Sequence, residues 1–242
     1  SLKKSLLETI KYAYETDKSN AIQIFTKSPQ QINIKSKLTK EDIEISNKYM
    51  NKNKIKLFIH ATYVINLCVY PNKNLKNLVE DLNILENLDL GIGLVVHFGS
   101  YKEMNEEKAI NNFKKNIYLL LKSSKKKDII IETSISKNSI GSTYKNVINI
   151  YKSFKNRVSI CIDTCHIFQA GYNIKIEELF IEYFKHFHSC KISLIHLNDS
   201  KKPFHSRIDM HADIGEGYII TKKTNTLENI VEFCKEKEIP II

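Results

Sequence analysis

The chain has 242 residues, 42% of them hydrophobic, and 37 Lys and Arg against 27 Asp and Glu give a formal net charge of +10. That is material for one sizeable core, so the chain reads as a single domain over 1–242, and no apolar run reaches the length that spans a membrane. The basic excess favours a polyanion, nucleic acid above all, although a chain so rich in Lys, Asn and Ile gains charge from composition alone.

The amino terminus, SLKKSLLETIKYAYETDK, predicts an amphipathic helix and lacks the apolar core and small-residue cleavage site of a signal peptide. Apolar, β-branched runs then recur: AIQIF at 21–25, IKLFIH at 55–60, GLVVH at 93–97, DIIIE at 128–132, VSICID at 158–163, ISLIHL at 192–197 and IPII at 239–242. Helical spacing fills the intervals, with Leu75, Leu78, Leu82 and Leu85 in one and Ile110, Phe113, Ile117 and Leu121 in another. The strands are unbroken apolar runs, as expected where both faces are buried. Strand then helix, repeated without a Pro/Gly-rich linker, is the pattern of a parallel α/β fold. The expected fold is a (β/α)8 TIM barrel that lacks its first strand and the end of its last. A doubly wound open sheet is the alternative.

Five cysteines, Cys68, Cys161, Cys165, Cys190 and Cys234, lie scattered through apolar segments. An odd, scattered set points to an intracellular, reducing compartment rather than a disulfide framework. Cys161 and Cys165 are ligands by type, but no second Cys pair completes a thiolate site, so both are expected to pack in the core.

Five of the seven strands end in a residue able to hold a metal: His60, His97, Glu132, Asp163 and His196. In a parallel barrel these ends meet at the C-terminal rim, where barrel enzymes place their chemistry. His166 follows the Asp163 strand within a turn. Asp209 and His211, two apart in SRIDMHADIGEG, face the same way if that segment is extended. His with Asp and Glu, without thiolate, suits zinc or another divalent transition metal. Eight candidates exceed what one ion can hold, so two or three clustered ions fit better, with Glu132 bridging a pair. The stretch CIDTCH also admits a plainer reading, in which Asp163 only caps a helix. His186 and His188 are expected at the surface or in packing, and Asp199 in a supporting role. His205 is a weak candidate for substrate contact, and the GEG at 215–217 a weak one for phosphate.

VVHFGS, IIIETS, CIDTCHIFQAGY, HLNDSK and SRIDMHADIGEG, in this order, resemble the endonuclease IV family of apurinic/apyrimidinic endonucleases. The similarity runs from IFTKSP at 24–29 to the final IPII. It implies the TIM barrel and three zinc ions per complete chain. His60 and His97 would hold the first zinc and Glu132 would bridge to the second. Asp163 and His196 would serve the second, and His166, Asp209 and His211 the third. It also implies a base-excision-repair enzyme that acts as a monomer on double-stranded DNA. Such an enzyme cuts 5′ to an abasic site, leaving a 3′-hydroxyl and a 5′-deoxyribose phosphate, and clears blocked 3′ ends. Tyr63 matches the aromatic that the family wedges into the duplex gap, with Val64 beside it. Gln30 stands where some relatives carry a basic residue that penetrates the DNA. The family's ninth ligand, a glutamate, would follow Ile242. The competing expectation is a metal-dependent sugar isomerase or epimerase of related barrel fold, against which the charge and the D-x-H pair argue.

Overall fold

The structure, a computed structural model, describes residues 5–32, 34–101, 103–154 and 156–242. Two compact units share the chain, Ser1–Val96 with Asn112–Ile130, and His97–Asn111 with Ile131–Ile242.

The first unit holds α1 (Leu6–Glu15), β1 (Ala21–Ile24), α2 (Lys40–Asn53), β2 (Lys56–His60), α3 (Leu75–Glu86) and all but the last residue of β3 (Gly91–His97). It also holds the later part of α4 (Glu106–Ser123) and the start of β4 (Asp128–Glu132). Its strands are ordered β1-β2-β3-β4. β1 runs parallel to β2 with Ala21 opposite Lys56 and Ile24 opposite Ile59. β2 pairs parallel with β3, His60 opposite Val95. Leu57, Phe58, Ile59, Leu94 and Val95 are fully buried, the outcome expected of unbroken apolar runs with helices on the strand faces.

Local chemistry sets the helix ends. Thr39 and Asp42 form a capping box at the start of α2, the Thr39 hydroxyl accepting from Asp42 N at 3.1 Å. At the far end of α3, Glu86 Oε1 accepts from Ser124 Oγ at 2.7 Å and from the N–H groups of Lys125, Lys126 and Lys127 at 2.8, 2.9 and 3.3 Å. Lys127 Nζ in turn donates to Leu88 O and Gly91 O at 2.8 and 2.7 Å. One carboxylate thus ties α3 to the turn that launches β4.

The second unit holds the end of β4, then α5 (Tyr144–Ser153), β5 (Val158–Asp163), α6 (Thr164–Ala170), α7 (Glu177–Lys185), β6 (Ile192–His196), β7 (Asp199–Ser200), β8 (His211–Ala212) and α8 (Thr226–Glu236). Its parallel strands are ordered β4-β5-β6, with Asp163 opposite His196. All of β5 is buried. The IPII run lies parallel beside β6 through an isolated bridge, Ile195 to Ile241, with Leu197 N donating to Ile242 O at 2.8 Å. The other six predicted strands form where the sequence places them.

Candidate metal centre

Four strands of the chain stop at a polar residue within the second unit: β3 at His97, β4 at Glu132, β5 at Asp163 and β6 at His196. Parallel direction and common register bring these ends together. Glu132 is buried and uses both oxygens: Oε2 lies 2.9 Å from His97 Nε2, and Oε1 lies 3.0 Å from His196 Nδ1 and 3.4 Å from His166 Nδ1.

Asp163 caps a helix with one oxygen and turns the other towards the histidines. Its Oδ1 accepts from His166 N at 3.0 Å and caps α6. Its Oδ2 faces inward, 3.8 Å from His196 Nδ1, 3.8 Å from His211 Nε2 and 3.9 Å from His166 Nε2. Asn198 Nδ2 donates to the same oxygen at 2.6 Å.

Asp209 and His211 come from the hairpin of β7 and β8, in which Ser200 pairs with His211. Asp209 Oδ1 lies 3.0 Å from His211 Nε2, and Oδ2 lies 3.3 Å from His166 Nε2. The hairpin is anchored by Asp199, which is fully buried. Its Oδ1 accepts from the N–H groups of Ser200, Ile219 and Ile220, and its Oδ2 from those of Gly215 and Gly217. Gly217 must be glycine, because a Cβ there would sit 2.4 Å from Asp199 Oδ1. The GEG amides at 215 and 217 are therefore spent on Asp199, which corrects the phosphate-turn expectation.

Three carboxylates and four imidazoles thus meet in one pocket. Burial works against a charge on His166, but Asp163, Asp209 and Glu132 outweigh it and raise its pKa to about 10. His196 is raised likewise, burial opposing and Glu132 prevailing. The hydrogen bond to Asp209 leads in raising His211. Burial opposes the charge on Asp209, while His166 and His211 hold its carboxyl below the usual range. The carboxylates demand positive charge, because an uncompensated buried carboxylate costs several kcal/mol. Protons on the rings or bound cations can supply it.

One atom favours cations. His166 Nδ1 lies 2.7 Å from Thr133 O, which can only accept, so this nitrogen carries the proton. Its Nε2 is buried, makes no hydrogen bond and points between Asp163 Oδ2 and Asp209 Oδ2, where a bound cation would take the place of a second ring proton. A ring pinned through one nitrogen, with the other free among carboxylates, is how proteins present histidine to a metal. Single atoms of Asp163, His166 and His211 all fall within 4.8 Å of one another, as do those of Glu132, Cys161 and His196, and of Cys165, Asp209 and His211. Cys161 and Cys165 are fully buried, as expected of core residues, and burial pushes the Cys161 thiol well up and the Cys165 thiol to about 12.

His60, Tyr63, Val64 and Gln30 belong to the first unit. His60 ends β2 buried, its Nδ1 2.7 Å from Ala61 O. Its ring meets those of Phe25 and Tyr63 at 5.0 and 5.2 Å. Tyr63 and Val64 are exposed, at 49% and 42%. Gln30 is exposed on the loop whose Pro29 O accepts from Tyr63 N at 2.9 Å. That loop is fixed from below by the buried Lys27 side chain, paired with Glu80 at 2.8 Å and Asp81 at 3.2 Å.

A family model described as a xylose isomerase-like TIM barrel matches residues 13–230. The putative endonuclease 4 of Acanthamoeba polyphaga mimivirus is 34% identical over 242 residues, 92% of this chain and 76% of the relative. The probable endonuclease 4 of Nitrosopumilus maritimus is 32% identical over 256 residues, 100% of this chain and 90% of the relative. The chain belongs to the endonuclease IV family. It is accordingly a TIM-barrel apurinic/apyrimidinic endonuclease of DNA repair, as its motifs predict. The endonuclease IV structure from Thermus thermophilus shares the fold, with a TM-score of 0.82 at 22% identity over 100% of this chain and 88% of that one. A D-tagatose 3-epimerase-like protein matches with a TM-score of 0.72 at 16% identity, over 98% of this chain and 86% of that one, a likeness of fold alone. The doubly wound alternative falls with the barrel assignment, and the isomerase alternative with the endonuclease relatives.

Within this endonuclease IV chain, His186 stacks on Tyr144 at 3.8 Å and His188 Nδ1 lies 3.0 Å from Lys185 O, the surface and packing roles expected of them. His205 Nε2 pairs with Arg207 Nη2 at 2.8 Å. Thr133, Asn198 and Gln169 were not singled out from sequence. All three sit inside quoted blocks, Thr133 in IIIETS, Gln169 in CIDTCHIFQAGY and Asn198 in HLNDSK, but none is a metal ligand by type.

Proposed function

We propose that this enzyme hydrolyses the phosphodiester 5′ to an abasic site in double-stranded DNA, leaving a 3′-hydroxyl and a 5′-deoxyribose phosphate, and trims blocked 3′ ends. The observation that carries the reading is the meeting of the buried Glu132 and Asp163 and the exposed Asp209 with four imidazoles, among which His166 Nε2 is buried and makes no hydrogen bond. Zinc is the cofactor by donor type, nitrogen and carboxylate oxygen without thiolate, and clustered zinc acidifies water and neutralises phosphate oxygens.

The chain's own groups divide the work. Glu132 turns one oxygen to His97 and the other to His196, so a single carboxylate serves two neighbouring sites. Asp163 and His196 belong with one of these, and His166, Asp209 and His211 form a third. The family resemblance implies His60 as a further ligand. Thr133 O holds His166 in the ligating tautomer. Tyr63 and Val64 offer exposed apolar surface to the gap left by a missing base, with Gln30 on the adjoining loop. An abasic nucleotide has no base to unstack, so drawing it out of the duplex costs less than flipping an intact one. On this reading the enzyme works as a monomer in a reducing, intracellular compartment, the compartment supported by the odd, scattered set of five cysteines in the sequence.

The test is incubation with a duplex carrying one tetrahydrofuran abasic analogue, with and without a chelator. A single incision 5′ to the lesion is expected, giving an end that a polymerase extends. The cut should vanish with chelator and return with zinc. Incision on the 3′ side, or full activity in chelator, would contradict the reading.

A further inference from the structure

Gln169 lies on α6 three residues after His166, so the two side chains leave neighbouring points of one helix face. It is fully buried and its whole amide is spent on one segment. Nε2 donates to Ser200 Oγ at 2.8 Å, Lys202 O at 2.9 Å and Pro203 O at 3.1 Å. Oε1 accepts from Ser206 Oγ at 2.6 Å and Arg207 N at 3.1 Å. That segment leaves β7 and leads to Asp209, and it is difficult to hold in place. His205 and Arg207 both adopt left-handed backbone, φ 61° and 62°. Such residues persist only where their surroundings over-determine them. Asp199 fastens the chain on the far side of His211. Gln169 fastens it on the near side of Asp209.

We infer that Gln169 is a positioning residue for the metal site of His166, Asp209 and His211, locking the Asp209–His211 segment to the helix that carries His166. The inference rests on the metal-centre reading above. His166 and the pair Asp209–His211 come from separate elements. A metal site joining them therefore depends on their separation, and here that separation is set by five hydrogen bonds from one amide.

The test compares the wild-type full chain with Gln169→Met, which keeps volume and removes the hydrogen bonds, and with Ser206→Ala, a milder cut from the other side. Zinc affinity is read by competition with a chromogenic chelator, and unfolding of the metal-free proteins by urea. In Gln169→Met one class of zinc should bind about 10–100-fold more weakly, the remaining zinc being unchanged. Ser206→Ala should move the same class less. A purely structural role would lower metal-free stability and leave the zinc affinity of the folded protein unaltered; that result overturns the inference, as does uniform weakening of all the zinc. If Gln169→Met does not fold, unchanged zinc affinity in Ser206→Ala overturns it alone. A wild-type chain that takes up no zinc overturns the metal-centre reading itself, and this inference with it.

Discussion

At the scale of single residues, the proposed chemistry rests on Glu132. Its two oxygens reach different histidines, and an amide would supply only one weak ligand atom in their place. Glu132→Gln should lower abasic-site cleavage about 10³-fold or more, with far-UV circular dichroism unchanged. Near wild-type cleavage would refute the bridging role. Tyr63 acts differently, since its ring is exposed and rests on Phe25 and His60. Tyr63→Ala should retain zinc and weaken binding to abasic duplex by about 1–3 kcal/mol, the value of one base-sized stacking contact. Equal binding of abasic and intact duplex by wild type and variant alike would remove Tyr63 from recognition. The ligand candidates were legible because strand ends and the D-x-H pair place them by period alone. Asp163 was legible only in part: sequence poses capping and ligation as alternatives, whereas a carboxylate has two oxygens, and here one caps α6 while the other stays turned to His211.

At the scale of elements, two carboxylates act as fasteners. Partial burial works against the charge on Glu86, but its four donors outweigh it and bring its pKa down to about 2 from 4.5. A group depressed on folding stabilises fully above its unfolded pKa, and this contribution fades as pH falls from about 4.5 towards 2. Glu86 is largely solvated, so the contribution is discounted to about 1–2 kcal/mol. Glu86→Gln should lose that much in urea unfolding at neutral pH, and the gap to wild type should close as pH drops below 4.5. A gap independent of pH would contradict the assignment. Asp199 is the stronger fastener, because its removal strands five N–H groups, those of Ser200, Ile219 and Ile220 among them buried. Asp199→Ala should cost about 3 kcal/mol or more and loosen the hairpin bearing His211, measurable as faster amide exchange across 209–220. The parallel strands and long helices were readable from hydrophobic period. The β7–β8 hairpin was not, since two strands of two residues each carry no periodic signal.

At the scale of the whole chain, no helix among the described residues is long and apolar enough to cross a membrane. The net charge of +10 suits a polyanionic substrate. Binding to duplex DNA should lose about a hundred-fold or more in affinity between 50 and 200 mM salt, as counterion release requires; a fluorescence-anisotropy titration that is flat across that range would contradict it. The barrel family was legible because unbroken apolar strands alternate with amphipathic helices throughout, and the motifs fix the family more sharply than any periodicity. The central claim is that the seven residues His97, Glu132, Asp163, His166, His196, Asp209 and His211 of the second unit hold zinc. Diffraction from zinc-grown crystals, recorded on both sides of the zinc absorption edge, tests it most directly. The account predicts anomalous peaks among these side chains, one of them about 2.0–2.2 Å from His166 Nε2 and from Asp209 and His211. An anomalous map without peaks in that pocket, from crystals of an enzyme that still cuts abasic DNA, would contradict it.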